Sequence, residues 1–547
     1  MILVPKGDIP SVGFEKLEFI MSSFNLSVLQ LAGINLEGWF PRGIFQLKYL
    51  RVLDLSRNLN LLGRMVDISG ASSLEILRLA YTGISGRIPS SIGNLTQLIL
   101  LNLCQNNLIG KISSYLDIFD LSSNRLQGQI PMPSSSARIL DYSNNLFSSV
   151  LPNFTLYLSY TKYLSLSNNN LSGYLPNSIC DSYISVLDVS YNNFKGHPPP
   201  CLIDNGYMII LNLRENQFEG ELPSNISSGC SLQTIDLHGN KIEGQLPRAL
   251  HNCTALELLD LGRNQITDTF PSWLGTLLNL CVLVLRSNQF HGSIGYLKDG
   301  KYGENFPTLQ ILDLASNNFS GNLHPQWFEN LCPYNNTGQI MGHQNVSIAR
   351  FYQDTVTISY KGSFIKFGRI WTTLTTIDLS DNALEGSIPA SIGKLVSLRA
   401  LNMSHNAFTG EIPPQFSDMT AVESLDLSTN MLSGEIPQEL MNLTFLSILN
   451  LSENQLEGKI PQSRQFATFQ SGSFGGNKGL CGLPLPKQCD APNTPNDIHM
   501  KSSSNSVDIV LFIFVGVAFG MGFATSILMK LDWIKRWFCN VNSANMS

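Results

Sequence analysis

Residues 232–271 read LQTIDLHGNKIEGQLPRALHNCTALELLDLGRNQITDTFP and state one pattern twice. Leu232 and Leu256, Leu237 and Leu261, Asn240 and Asn264, and Pro247 and Pro271 occupy the same places in successive copies of LxxLxLxxNxLxGxIP. Working outward, the Asn position recurs every 23 or 24 residues at Asn169, Asn192, Asn216, Asn240, Asn264 and Asn288. Earlier copies centre on Asn58, Asn106, Asn124 and Asn145, with Ile34 and Thr82 standing in the same frame. Later ones centre on Asn317, Asn382, Asn406, Asn430 and Asn454, which makes seventeen copies. A fixed period of this length is the signature of a stacked repeat array.

The physics of one copy accounts for its letters. In LNLRENQF, Leu211 and Leu213 alternate with polar residues, as in a short strand with one buried face. Asn216 falls where the chain turns out of that strand, and its side chain can satisfy backbone groups there at about 1 kcal/mol per net hydrogen bond. Phe218 and Leu222 return to the core, and Gly220 relieves the next bend. One copy cannot bury its apolar face alone, so the copies stack into a curved α/β solenoid with a parallel sheet on its concave side. The recurring Asp54, Asp188, Asp236, Asp260, Asp378 and Asp426 belong to this frame and read as scaffold.

Composition narrows the function. Charged residues make up 14% of the chain, the net charge is -6 and the pI about 5.8, so nucleic acid is not an expected partner. The sequence carries no Walker loop, HExxH, kinase signature or Cys/His cluster at zinc spacing, and no enzyme, cofactor or metal is expected from it.

The period breaks once. After Asn317 the next Asn position is Asn382, and the intervening stretch includes FYQDTVTISYKGSFIKF, residues 351–367. Long insertions in compact repeats are commonly functional. The alternation of Val356, Ile358 and Tyr360 with Thr355, Thr357 and Ser359 predicts paired strands. Near the C-terminus, residues 509–529 are uncharged and long enough to span a bilayer. Lys530, Lys535 and Arg536 follow this span, which puts the tail in the cytoplasm. Gly516 and Gly520 form a GxxxG in it, a small-residue stripe suited to docking a partner helix. Twelve sequons precede the span, at Asn25, Asn94, Asn153, Asn170, Asn225, Asn252, Asn318, Asn335, Asn345, Asn402, Asn442 and Asn450, and imply a glycosylated extracellular face. Cys481 and Cys489 flank a terminal cap and are expected to pair; Cys180 with Cys201, and Cys230 with Cys253, sit about one coil apart and are candidate disulfides. Cys104, Cys281 and Cys332 are expected to be buried or free.

The repeat tails GRIPSSIGNL and GEIPQELMNL resemble the plant class of extracellular leucine-rich repeats. The island before the last four repeats, the motif GSFGGNKGLCGLPLPKQC, the apolar span and the short tail together resemble plant leucine-rich-repeat receptor-like proteins of the Verticillium-wilt and Cf-type resistance family. That resemblance implies a cell-surface receptor without a kinase domain. Such a receptor binds an extracellular peptide, protein or glycan ligand and signals through a partner receptor kinase in the same plasma membrane, often in innate immunity. A developmental receptor, a secreted inhibitor of cell-wall enzymes and a non-signalling remnant stay open beside it. The expected organisation is repeats over 1–321, island 322–371, four repeats over 372–462, cap 463–490, linker 491–508, span 509–529 and cytoplasmic tail 530–547. The opening MILVPKGDIP lacks an apolar signal segment and resembles a repeat tail, so the family's N-terminal cap is expected to be missing.

Ligand is expected on the concave face, at the x positions of the LxLxx strand frame. Successive side chains alternate across a strand, so these positions read as solvent-facing. Arg214, His238 and Arg286 form one column and Glu215, Arg263 and Ser287 the next. Arg214, Arg263 and Arg286 would grip carboxylates or sugar hydroxyls, and His238 lies among them.

Overall fold

Each coil contributes three residues of strand and then a turn whose backbone is fixed by one asparagine. In the computed structural model, Asn240 Nδ2 donates to Leu213 O (3.0 Å) one coil back, and to Leu237 O (3.0 Å) and His238 O (3.4 Å) in its own coil. Its Oδ1 accepts the Phe218 amide at 3.0 Å. The same arrangement recurs at Asn192, Asn216, Asn264 and Asn288. The residue before the asparagine takes a left-handed conformation, as at Glu215 (φ 51°) and Arg263 (φ 51°). That costs roughly 1–2 kcal/mol for a non-glycine residue. Inter-coil amides offset it, such as Glu215 N–H to His238 O at 2.7 Å. The next bend needs glycine: Gly220 has φ 85°, and a Cβ there would run into the His197 ring.

The structure describes residues 2–3, 25–294, 306–331, 352–368 and 374–489, apart from short breaks at 41–42, 66–67, 69, 72, 96, 111–117, 134, 151–152, 205 and 464. Among them the concave sheet has 18 parallel strands in strict register, as in Ile210↔Thr234↔Leu258↔Val282. Its first strand, Ile2–Leu3, pairs with Val28–Gln30, so the opening residues are part of the array. A second set of parallel strands, absent from the sequence reading, runs down the flank where xLxGx is extended; Gln217–Glu221 and Lys241–Gly244 are one pair. Phe194 and Phe218 stack there, 6.3 Å between centroids, one per coil.

The convex side departs from the α/β expectation. Its elements are 3-10 turns of three to five residues, such as Ser90–Asn94 and Arg248–Asn252. In both, a proline precedes the turn (Pro89, Pro247) and a core-facing residue closes it (Leu95, Cys253), which leaves room for one turn only and favours 3-10 over α geometry. Among the described residues Pro325–Asn330 is α-helical, and its Trp327 and Phe328 sit in the main core. Residues 325–331, expected in the island, thus pack with the core of the repeats. The sheet ignores the island's excursion: Ile311–Asp313 pairs directly with Thr376–Asp378.

Candidate functional site

The excursion folds back over the concave face. Val356–Tyr360 and Ser363–Phe367 form an antiparallel hairpin. Lys361 (φ 53°) and Gly362 (φ 72°) make its two-residue turn, a geometry that matches the natural strand twist. Val356 and Ile358 are buried against Leu258, Val282, Val284 and Ile311. All four face outward from the sheet: Leu258, Val282 and Ile311 continue a column that is apolar in most coils, as at Val186 and Ile210, whereas Val284 stands between Asp260 and Asp313 in a column that is otherwise polar. Val284, the apolar residue in that polar column, was the sequence signal for a covering element, and the sequence reading missed it.

Polar contacts fasten the hairpin along its length. Asn212 Nδ2 donates to the Tyr352 hydroxyl at 2.9 Å, and Thr234 Oγ1 to Asp354 Oδ1 at 2.9 Å. The Phe364 ring lies over the Arg286 guanidinium, 4.6 Å away. At the tip, Lys361 Nζ pairs with Glu423 (2.7 Å), the Tyr360 hydroxyl donates to the same carboxylate (3.0 Å), and Arg399 completes the cluster. At the other end, Lys366 Nζ donates to the Tyr191 hydroxyl at 3.1 Å and sits over its ring.

This packing corrects the expected ligand column. Arg214, His238 and Arg286 are 3%, 4% and 8% exposed and do not face solvent. Arg214 Nη1 lies 2.8 Å from Asp260 Oδ2 and 3.3 Å from Asp236 Oδ2, and Nη2 donates to Thr357 Oγ1 of the hairpin at 3.2 Å. His238 Nδ1 is 3.0 Å from Asp260 Oδ1, and Arg286 Nη1 is 2.7 Å from Asp313 Oδ2. The physical reason is the hairpin itself, which takes the position expected for ligand. Arg263 alone of the four is exposed, in an ion pair with Glu215 (3.2 Å). Burial, reinforced by the Asp260 carboxylate, pushes Asp236 up to about 7 against the pull of Arg214 and His238. Asp260 goes the other way: although burial raises it, His238 and Arg214 bring it below its ordinary value. Asp54, Asp188, Asp378 and Asp426 each accept the backbone and hydroxyl of the serine two residues on, so the frame uses them to close its turns.

Beside the Tyr352 end of the hairpin the concave face stays open. A cleft of about 360 Å³ lies between Asn144, Asn168, Asp188, Ser190 and Tyr191 of the coils and Tyr352, Gln353, Thr355 and Lys366 of the hairpin segment. Asn168 Nδ2 donates to Asn144 Oδ1 at 2.8 Å. Burial raises the Asp188 carboxyl, while Ser190 and Lys366 pull it back.

The remaining sequence candidates fall as follows. Asn25, Asn94, Asn153, Asn170, Asn225, Asn318 and Asn442 are exposed. Asn252, Asn402 and Asn450 are half-buried: Asn252 Nδ2 donates to Ile226 O (2.6 Å), Asn402 Oδ1 accepts from Ser404, and Asn450 Nδ2 donates to Asp426 Oδ2 (3.2 Å). Asn335, Asn345, Cys332, Gly516, Gly520 and the span 509–529 lie outside the described residues. Among the described residues no helix is long and apolar enough to cross a membrane. The structure joins Cys180 to Cys201 (Cα–Cα 5.7 Å) and Cys230 to Cys253 (4.8 Å). Cys104, expected buried or free, is buried and disulfide-bonded, and Cys481, at the end of the last strand Gly479–Cys481, and Cys489 are disulfide-bonded as well. Cys281 is free and half-buried.

Comparison with known proteins agrees with this architecture. The Leucine Rich Repeat family model matches residues 73–95, 160–182, 231–253, 255–277, 308–331, 373–395, 397–419 and 421–443. Receptor like protein 22 of Arabidopsis thaliana is 46% identical over 502 residues, covering 88% of this chain and 64% of its own length. Receptor-like protein 39 of the same plant is 45% identical over 505 residues, covering 89% and 56%. Receptor like protein 27 is 61% identical over 227 residues, covering 41% and 28%. The chain thus spans less than two thirds of the length of each of these relatives.

Among solved structures, the ectodomain of the Arabidopsis membrane receptor kinase GASSHO1/SCHENGEN3, in complex with CASPARIAN STRIP INTEGRITY FACTOR 2, has a TM-score of 0.63 at 28% identity. The alignment covers 88% of this chain and 58% of that one. The Arabidopsis receptor kinase HAESA, in complex with the peptide hormone IDA and the co-receptor SERK1, has a TM-score of 0.58 at 28% identity, covering 84% and 79%. Repeats and fold define a leucine-rich-repeat solenoid, similar in structure to plant receptor kinase ectodomains. More narrowly, its sequence is similar to plant receptor-like proteins over most of its length.

Proposed function

We propose that the chain is a cell-surface receptor without a kinase domain, which takes an extracellular peptide, protein or glycan on its concave face and signals through a partner receptor kinase in plant innate immunity. Residues 509–529 anchor it in the plasma membrane, and the exposed sequons carry glycans. The observation that carries the reading is the hairpin clamped on the concave sheet, with an open cleft at one end and its tip fastened to Glu423 in the repeats that follow the island. A ligand entering the cleft would touch coils and hairpin together, so its binding would be felt at those later repeats. The solved neighbours, one in complex with CASPARIAN STRIP INTEGRITY FACTOR 2 and HAESA in complex with a peptide hormone and a co-receptor, support the same reading.

The test expresses the full chain in leaves with a secretion signal fused in front. The comparison is a variant in which residues 355–367 are replaced by a short Gly-Ser link. Both should reach the plasma membrane, and the native hairpin alone should give an oxidative burst with microbial wall extract and co-purify with receptor kinases. Equal responses from the two would overturn the proposal.

A further inference from the structure

The cleft beside Tyr352 has a chemistry of its own, distinct from the filled face under the hairpin. Its walls are amides and hydroxyls: Asn144, Asn168 and Gln353 beside Ser190, Thr355 and Tyr352. No aliphatic side chain lines it, so apolar packing there is confined to the rings of Tyr191 and Tyr352. The one ammonium, Lys366, is balanced by the one carboxyl, Asp188, so the cleft has no net field with which to select a polyanion or a polycation. Side-chain amides carry both donors and acceptors, which suits groups that are themselves both. Tyr191 adds a ring at the margin, held in the left-handed turn position (φ 52°) and 36% exposed. At about 360 Å³ the space is at the small end of ligand sites.

From these features, and resting on the reading of the concave face as the ligand surface, we infer that the cleft binds the end of a neutral oligosaccharide. Paired hydroxyls on a sugar ring meet the Asn144–Asn168 amide pair and Gln353. An apolar ring face packs on Tyr191 once Lys366 swings aside.

The experiment uses the full chain, produced with a secretion signal and purified in detergent. Neutral hexose oligosaccharides of two to six units are titrated by calorimetry, with an oligogalacturonate of matched length as the charged control. At least one neutral oligosaccharide should bind saturably and the oligogalacturonate should not. Asn144→Ala with Asn168→Ala should weaken that binding by about tenfold or more, the loss expected for a pair of hydrogen bonds. Tyr191→Ala should do the same, whereas Tyr191→Phe should bind nearly as the native chain does. Lys394→Ala, in the convex turn Ala390–Lys394 and away from the concave face, should change nothing. Native melting temperatures in these variants identify the loss as one of binding. Saturable binding of the oligogalacturonate alone, or neutral binding indifferent to the cleft changes, overturns the sugar assignment. So does the absence of any saturable binding. If the leaf response still requires the hairpin in that case, the receptor reading stands and only the ligand class falls.

Discussion

Arg214 and Thr357 are 143 positions apart in the chain and 3.2 Å apart in space. The contact joins a strand residue of the solenoid to the hairpin of the insertion, and it turns an arginine that reads as solvent-facing into an interior ion-pair member.

Arg214→Ala should therefore be costly. It leaves Asp236 and Asp260 buried without their cation, a change that typically costs about 3–5 kcal/mol. Arg263→Ala removes an exposed pair with Glu215 and should cost less than about 1 kcal/mol. Urea titration of the two variants checks the contrast. Equal midpoints would mean that Arg214 is not enclosed as described.

Asn240→Ala removes the shared partner of three carbonyls and one amide. A lost buried partner costs about 1–3 kcal/mol, and this one should also loosen the coils on either side. Hydrogen exchange should show faster exchange at the Phe218 amide; unchanged protection there would contradict the ladder.

The buried carboxylates make stability depend on pH. Burial and neighbouring aspartates raise Asp141, Asp236 and Asp313 to about 7, and burial raises Asp120 to about 6. A carboxyl raised in the folded state binds its proton more tightly there than in the unfolded chain. Its contribution is full below the unfolded value of about 4 and is lost as pH rises through about 7. Asp260, which is lowered, changes stability only as pH falls below the unfolded value of about 4 and so leaves this trend intact. The melting temperature should fall between pH 5 and pH 8, and Asp236→Asn should flatten the slope. A melting temperature that rises over this range would contradict the assignment.

The disulfides make a separate contribution. Cys230→Ser with Cys253→Ser opens a link between residues 23 apart and should cost about 3 kcal/mol. Thermal melting under non-reducing conditions checks it, with the native chain in reductant as reference.

For the span, Gly516→Leu with Gly520→Leu should weaken co-purification with a partner kinase while leaving surface delivery intact, because bulky residues hold two helices apart. Unchanged co-purification would show that the stripe is not the docking face.

The repeat frame was legible because it is periodic: the Leu, Asn, Gly and Pro positions serve one local structure seventeen times. The flank strands and 3-10 turns follow from the same letters but need the left-handed residue before each asparagine, and side chains as different as Glu215, Arg263 and Ser287 occupy that position. The hairpin could be foreseen from its alternation, but not where it lies. Its placement depends on contacts such as Tyr360 with Glu423 and Tyr352 with Asn212, which no local pattern encodes. Arg214 was misread for that reason: alternation gives the face of the strand, and a distant segment decides whether that face meets water.

The uninterrupted pairing of Ile311–Asp313 with Thr376–Asp378 gives the insertion an unusual freedom. Because the sheet closes beneath it in register, the excursion behaves as a cassette plugged into a finished frame. Its length and sequence can change without a repair to the backbone register of any coil. What must change with it is the footprint it lies on: Leu258, Val282, Val284 and Ile311 in the middle, Glu423 at the tip, and the polar partners Tyr191, Asn212, Arg214, Thr234 and Arg286. Exchanging the cassette together with that footprint would transplant a recognition surface between solenoids of this kind and leave their frames intact.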